Sequence, residues 1–189
     1  MSKDDVWEYT LRPEDDGKKY QDILFRKFHF SRKLLQKLKM GELVWVDGKF
    51  TYLNSVGHTG QTLRLTLLAP EEATISGEKL PLDILFEDDY FLAINKPPGQ
   101  VVHPNPRYPS GTLGNAVVGY LSSTGQAGPF RPINRLDRNT SGVILIAKNR
   151  FAHQQLGWQQ EQGQISKIYF GLVKDNLTPD VGEINKPIR

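Results

Sequence analysis

The sequence predicts an α+β protein built from two units, a small N-terminal unit and a larger unit with a mixed, mainly antiparallel β-sheet. Two observations carry this prediction. Helical spacing of apolar residues within 19–40 changes to a strand-and-turn pattern after Gly41. A stretch rich in Glu, Ser, Gly and Pro then precedes a second set of strand patterns, as is typical of a linker. We therefore expect units at 1–70 and 82–189, joined by a linker at 71–81.

The first unit shows clear start and stop signals. Its first 17 residues form an arm, or an edge strand around Trp7 to Leu11. Ser31 is a candidate N-cap of a second helix, and Gly41 is a candidate stop for it. An Asp47-Gly48 pair between short apolar runs predicts a hairpin with a tight turn. The alternating run from Thr62 to Leu68 predicts a closing strand.

The basic charge of the chain is concentrated in this first unit. The net charge is +3, and residues 71–189 contribute none of it. Lys33 and Lys37 are four apart, so they share the helix side away from the leucines. A basic cluster on a small unit indicates a polyanionic partner. The cluster that has no acid within it comprises Arg26, Lys27, Arg32, Lys33, Lys37 and Lys39.

The composition excludes several classes of protein. The chain has no cysteine, which removes disulfides, thiolate nucleophiles and cysteine-ligated metals. Its four histidines show no metal-ligand spacing, and we expect no metal. No apolar run reaches 18 residues, and the N-terminus lacks a signal core, so we expect a cytoplasmic monomer that does not bind membranes.

The second unit is organised around a polar octet, Arg135 to Gly142, followed by the apolar run Val143 to Ala147. The apolar run predicts a buried strand, and the octet a loop at its start. Asp137 lies between two arginines, which favour its ionised form. Flanking patterns predict further elements, namely strands at 84–86 and 91–94, helices at 112–121 and 151–162, and a strand from Ser166 to Val173.

The octet, Arg-Leu-Asp-x-x-Thr-Ser-Gly before a hydrophobic strand, closely resembles the catalytic motif of the RluA-type pseudouridine synthases. The family usually has His where this chain has Asn134. The resemblance implies that Asp137 is the essential aspartate and that Arg135 enters the RNA when the target uridine is flipped out. It implies no cofactor, because a single carboxylate can act as nucleophile at the ribose or as base at its carbon 2. The sequence leaves both routes open.

The resemblance extends along the chain. The family has a Lys-Pro-x-Gly turn where Lys96 stands, and Lys96 could contact phosphate or support the loop. The family also has a Lys-x-Tyr pair where Lys167 and Tyr169 stand, and the tyrosine lies against the target base. Its catalytic domain continues beyond residue 189 with a motif whose arginine pairs with the aspartate. We therefore expect an incomplete catalytic domain and little turnover from these 189 residues alone.

Two short helices, Gly-x-Leu-Val-x-Val-Asp-Gly-Lys and a later strand resemble the alpha-L RNA-binding motif, although Gly60-Gln61 replaces its usual Gly-Asp pair. We expect a pseudouridine synthase acting on structured RNA, with ribosomal RNA favoured over transfer RNA. The rival hypothesis is an RNA-binding or chaperone-like module without catalysis. The expected RNA contacts are Arg26, Arg32, Lys33, Lys37, Lys39, Lys96 and Lys167.

Overall fold

The computed structural model describes residues 6–66 and 73–172, together with 174, 181–183 and 185. Four strands form the first sheet in the order β1-β4-β2-β3, and every neighbouring pair is antiparallel. Helices α1 and α2 cover this sheet. The elements are β1 (Val6–Thr10), α1 (Tyr20–Arg26), α2 (Arg32–Met40), β2 (Val44–Val46), β3 (Lys49–Phe50) and β4 (Thr62–Thr66).

Local signals placed the ends of these elements correctly. The Ser31 hydroxyl accepts the Leu34 N–H at 3.1 Å, which caps α2, and Gly41 follows its last residue. Asp47 and Gly48 both have positive φ, as a primed turn requires, and they join β2 to β3. The predicted closing strand runs from Thr62 to Thr66, and its last two residues lie outside the described part of the chain.

A second sheet has the order β5-β6-β7, again antiparallel throughout, which confirms the predicted strand pairing. Helix α3 packs on one face of this sheet and closes a second hydrophobic core around Leu113, Val117 and Leu121. The elements are β5 (Ile84–Glu87), β6 (Phe91–Lys96), α3 (Leu113–Ser123), β7 (Gly142–Ala147) and α4 (Arg150–Glu161). The prediction that β7 is buried holds for one face, since Ile144 and Ile146 are inaccessible while Val143 is 51% exposed.

Part of the predicted linker lies along α3. The Asn115 amide donates to the Ser76 carbonyl at 2.9 Å, and the Glu78 N–H donates to the Asn115 carbonyl at 2.9 Å. Gly119 allows this approach, because a Cβ there would lie 2.2 Å from the Glu78 carbonyl oxygen. The linker residues 71–72 and the expected C-terminal stretch 186–189 lie outside the described residues. The domain boundaries stay a prediction.

The predicted strand from Ser166 to Val173 is wrong for the residues that the structure describes. Residues 164–172 have no regular secondary structure, and Val173 lies outside the described part. The alternation of apolar side chains was present, but a strand also needs a hydrogen-bonding neighbour. The β7 edge is taken by residues 131–133, since Ile133 donates to Leu145 and Ala147 donates to Arg131.

Candidate functional site

The polar octet forms a loop whose two ends both lie at the start of β7. At the first end, two hydrogen bonds of the Asn134 side chain hold the chain against β7: the amide nitrogen donates to the Val143 carbonyl at 3.0 Å, and the amide oxygen accepts from the Leu145 N–H at 2.9 Å. Gly142, with φ of 127°, opens β7 directly after the loop. Sequence reasoning noted Asn134 only as a departure from the family, and its position beside the octet was the available signal for this positioning role.

Lys96, the last residue of β6, supports the loop through hydrogen bonds of its ammonium group. Its side chain is fully buried, and its ammonium group donates to the carbonyls of Pro97 at 2.8 Å, Gln100 at 3.0 Å and Arg138 at 3.1 Å. An ammonium has three protons, so all are used. Burial lowers the pKa of Lys96. Of the two roles expected from the sequence, this geometry favours loop support, and it leaves no proton of Lys96 for a phosphate.

Arg138 fixes the loop from its other side. Its Nε donates to the Gly99 carbonyl at 3.0 Å, and one terminal nitrogen donates to the Tyr108 hydroxyl at 3.0 Å. In the opposite direction, the Gly99 N–H donates to the Arg138 carbonyl at 2.7 Å. The positive φ of Gly99, 86°, gives the Pro-Pro-Gly turn the conformation in which both hydrogen bonds between Gly99 and Arg138 form. Tyr108 gave no signal in the sequence, because the segment that carries it shows no periodic pattern.

Asp137 and Arg135 are both exposed on this loop. The Asp137 carbonyl accepts the Thr140 N–H at 3.1 Å, which fixes the backbone that carries the carboxylate. Within the described residues, no hydrogen bond or ion pair engages either side chain. His103 lies close to Arg135: burial and this nearby cation both lower the pKa of the His103 imidazole. The loop therefore presents one carboxylate and one guanidinium from a backbone held at several points.

The basic helix α2 presents the predicted cationic surface. Arg32, Lys33, Lys37 and Lys39 are all exposed, while Leu34 and Leu38 face the first core. Arg26, on α1, is exposed as well. The pKa of Lys37 is lowered, first by partial desolvation and then by the cations Arg150, Lys33 and Arg131. Two of these three cations, Arg150 and Arg131, belong to the second unit, and the sequence did not indicate that they lie near Lys37.

The structure does not bring Lys167 and Tyr169 to the loop. Both lie in the irregular segment after α4, and the Tyr169 side chain is 62% exposed. Their assignment to the site rests on the family resemblance alone. Among the described residues, no group of three or more His, Asp or Glu side chains could hold a metal ion. In the same part of the chain, no helix is both long and apolar enough to cross a membrane.

Comparison with known proteins gives a consistent result. A family model described as RNA pseudouridylate synthase matches residues 90–189. A protein of Aquifex aeolicus, named as an uncharacterised RNA pseudouridine synthase, is 35% identical over 193 residues, covering 100% of this chain and 60% of the relative. Ribosomal large subunit pseudouridine synthase D of Pseudomonas aeruginosa is 30% identical over 174 residues, covering 91% and 54%. The chain thus spans 60% or less of the length of these relatives.

Proposed function

The chain belongs to the RNA pseudouridylate synthase family, and from this premise we propose that the whole protein isomerises specific uridines in structured RNA. The reaction breaks the bond between N1 of uracil and the ribose and forms a bond from C5 to the same ribose carbon. The proton lost from C5 is balanced by one gained at N1. No external reactant is consumed, which agrees with the expectation that no cofactor is needed.

Asp137 and Arg135 are the proposed reactive pair. A base in folded RNA must leave its stack before an enzyme can reach the glycosidic bond. The planar guanidinium of Arg135 can fill the resulting gap by stacking and by bonding phosphate. The Asp137 carboxylate then acts as nucleophile at the ribose or as base at its carbon 2.

This proposal rests on a contrast within the loop: its backbone is fixed by hydrogen bonds, whereas the side chains of Asp137 and Arg135 are exposed. Six hydrogen bonds of Lys96, Arg138 and Asn134 join the loop, the 97–100 turn and β7 to one another, so the shape of the loop does not have to be acquired on binding. Preorganised groups lower the entropic cost of reaching the reactive geometry. A simple surface ion pair would not need such anchoring.

We also propose the wider organisation expected from the sequence. Residues 1–70 are an alpha-L RNA-binding domain, residues 71–81 a linker and residues 82–189 part of the catalytic domain. The order of α1, α2, the β2–β3 hairpin and β4 supports the first assignment. Ribosomal RNA is the favoured substrate, supported by the name of the Pseudomonas relative. Arg26, Arg32, Lys33, Lys37 and Lys39 are the proposed phosphate contacts of the first domain.

The test compares two substitutions in the whole protein. Asp137→Asn should lower pseudouridine formation at least about 100-fold, since an amide can be neither nucleophile nor base. It should still raise the fluorescence of a base analogue at the target position, because flipping is retained. Arg135→Ala should leave that analogue quenched. Asp89→Asn, an exposed carboxylate outside the loop, is the control and should retain full activity.

Each outcome of this test has a definite meaning. If Asp137→Asn keeps turnover within about tenfold of the unchanged protein, about 1.4 kcal/mol in barrier, the catalytic assignment is wrong. If the unchanged protein binds RNA but forms no pseudouridine in ribosomal or transfer RNA, the non-catalytic RNA-binding hypothesis replaces this one.

A further inference from the structure

The 103–111 loop, which precedes α3, lies beside the polar octet and meets it at two places. The Tyr108 hydroxyl accepts from Arg138 at 3.0 Å, and the Arg138 guanidinium carbon is 5.1 Å from the centroid of the Tyr108 ring. Nearer the start of the loop, His103 lies close enough to Arg135 for that cation to act on its imidazole. Arg135 and Arg138 stand on either side of the proposed catalytic carboxylate in the chain. The 103–111 loop therefore forms one border of the place where the target nucleotide would be bound.

A tight turn at 105–108 holds the backbone of this loop in one shape. The backbones of Asn105 and Tyr108 exchange two hydrogen bonds, of 3.0 and 2.9 Å. The Asn105 side-chain oxygen accepts two more, from the N–H groups of Arg107 at 3.0 Å and Tyr108 at 3.1 Å. An asparagine side chain that bonds the backbone shortly after it is a common way to fix a turn. Arg107 therefore stands at the tip of a turn that is already formed in the unbound protein.

The Arg107 side chain is exposed, and a neighbouring ring restricts its orientation. Its guanidinium carbon lies 5.6 Å from the centroid of the Tyr108 ring. A cation this close to the face of a tyrosine ring is attracted to it. Arg107 and Arg138 thus contact the same ring, and this ring connects the tip of the turn to the octet. A side chain that is already oriented loses less conformational entropy when it binds a ligand.

Positive charge is in excess where the 103–111 loop and the octet meet. The two segments together contain three arginines, Arg107, Arg135 and Arg138, and one acidic residue, Asp137. Residues 71–189 as a whole carry no net charge, so this excess is local. The carboxylate would repel the phosphates of an RNA bound beside it, and cations close by offset that repulsion. The charge distribution around the octet therefore favours a polyanion.

The three arginines differ in the donors that they have available. Arg138 donates from its Nε and one terminal nitrogen to Gly99 and Tyr108. Arg135 is assigned to the gap that the flipped base leaves. Within the part of the chain that the structure describes, no carboxylate and no hydrogen-bond acceptor contacts the Arg107 guanidinium. A planar guanidinium can bond two phosphate oxygens at once, so Arg107 is suited to a phosphate contact.

We propose that Arg107, at the tip of the 105–108 turn, binds a phosphate of the RNA next to the target nucleotide. The inference rests on the proposed function for the identity of the ligand. It adds the 103–111 loop, to which the sequence analysis assigned no role, as an RNA-contacting element of the second unit. The base and the ribose of the target nucleotide are left to Arg135 and Asp137.

The experiment measures binding of the whole protein to an unmodified transcript of large-subunit ribosomal RNA over a range of salt concentrations. Arg107→Gln should weaken binding about tenfold, as expected for the loss of a hydrogen bond between charged groups. It should also lower the slope of log affinity against log salt by about 0.7–0.9, the value for one phosphate contact. Arg107→Lys keeps the charge and should restore the slope. The control is Lys18→Gln, at an exposed lysine outside the proposed phosphate contacts, and its slope should not change. An unchanged slope in Arg107→Gln, or equal changes in Arg107→Gln and Lys18→Gln, overturns the proposal.

A second measurement separates phosphate binding from support of the octet. A contact that is made equally before and during the reaction changes affinity and leaves the rate at saturating RNA unchanged. That rate of pseudouridine formation should stay within about twofold of the unchanged protein in Arg107→Gln. Tyr108→Phe keeps the ring that Arg107 contacts but lacks the hydroxyl that accepts from Arg138, so it should keep the salt slope and lower the saturating rate several-fold. A lower saturating rate with unchanged affinity in Arg107→Gln would make Arg107 a support of the octet and overturn the proposal.

The outcomes for this inference and for the proposed function are distinguishable. Thermal melts show whether each variant is folded, and the exposed Arg107 can be replaced without opening a core. If pseudouridine forms normally while Arg107→Gln binds RNA like the unchanged protein, this inference alone fails. If no pseudouridine forms but the salt slope falls in Arg107→Gln, the proposed function fails and the phosphate contact of Arg107 remains.

Discussion

At the scale of single residues, the candidate site depends on side chains that do not react. Asn134, Lys96 and Arg138 bond backbone carbonyls and amides, and together they determine where the Asp137 carboxylate is presented. Each of these bonds contributes about 1 kcal/mol in net stability, or up to about 3 kcal/mol where a charged group donates. The site is therefore sensitive to substitutions one layer away from Asp137.

Lys96→Met should loosen the loop while leaving the proposed reactive residues, Asp137 and Arg135, intact. Methionine fills similar space but provides no donor, so the carbonyls of Pro97, Gln100 and Arg138 lose the buried ammonium that bonds them. Losing a buried partner costs about 1–3 kcal/mol, and relief from burying an ammonium offsets part of it. We expect a net loss of about 2 kcal/mol in chemical denaturation, with faster hydrogen exchange at the Gly99 N–H.

The control for this prediction is Lys79→Met, at an exposed lysine of the predicted linker, which should change stability by less than about 0.5 kcal/mol. Unchanged exchange at Gly99 in Lys96→Met would show that the loop keeps its shape without the ammonium, and the support role would have to be abandoned.

At the scale of elements, β1 and α1 are joined by a buried carboxylate. Asp15 is 2% exposed and accepts from the Tyr9 hydroxyl, from the Arg12 N–H and from Lys27, whose nitrogen lies 2.9 Å away. Burial alone would raise the pKa of Asp15, but these hydrogen bonds outweigh it and hold that pKa below its ordinary value of 3.8. The hydrogen bonds and the ion pair of Asp15 therefore stabilise the first unit by an amount that depends on pH.

Asp15→Asn should lower the stability of the first unit by about 1.5–3 kcal/mol at neutral pH, the range for hydrogen bonds to charged groups. Because the folded-state pKa is depressed, the stabilisation is present above pH 3.8 and is lost as pH falls through the folded-state value. The difference between the two proteins in urea denaturation should therefore be constant near neutral pH and shrink below pH 3.8. A difference independent of pH would contradict the assignment.

At the scale of the whole molecule, α4 connects the two units. Its residues Phe151, Gln155 and Trp158 lie at helical spacing and all face the first unit. Phe151 packs against the first hydrophobic core, with its ring centroid 5.3 Å from that of Phe30. Gln155 donates to the Phe28 carbonyl at 2.6 Å, and Trp158 stacks on His29. The relative position of the two units therefore depends on this helix.

Phe151→Ala should uncouple the units. Full burial of such a ring is worth about 3 kcal/mol, and this one is only partly buried, so we expect a loss of about 1–2 kcal/mol. Thermal unfolding followed by tryptophan fluorescence should change from one transition towards two. Phe86→Ala is the control, since that ring is 51% exposed on the second sheet. A single unshifted transition in Phe151→Ala would show that the contact does not couple the units.

The sequence by itself determined what depends on neighbours along the chain. The Ser31 cap, the Asp47-Gly48 turn, the period of α3 and the loop opened by Arg135 and closed by Gly142 all follow from local hydrogen bonding and from apolar periodicity. The family resemblance added the proposed reactive roles of Asp137 and Arg135, because the octet that carries the resemblance is one short, contiguous stretch of the sequence.

Tertiary structure decided what depends on partners distant along the chain. The sequence around Lys96 does not show whether its side chain faces solvent or donates to three carbonyls. Only the packing of the 97–100 turn against Arg138 buries this side chain. The alternation around Tyr169 was a strand pattern, but a strand also requires a hydrogen-bonding neighbour, and residues 164–172 pair with none of the strands that the structure describes. The contact between the units arises in the same way: Arg150 lies more than 100 positions from Lys37 along the chain, and only the docking of α4 places their charges near each other.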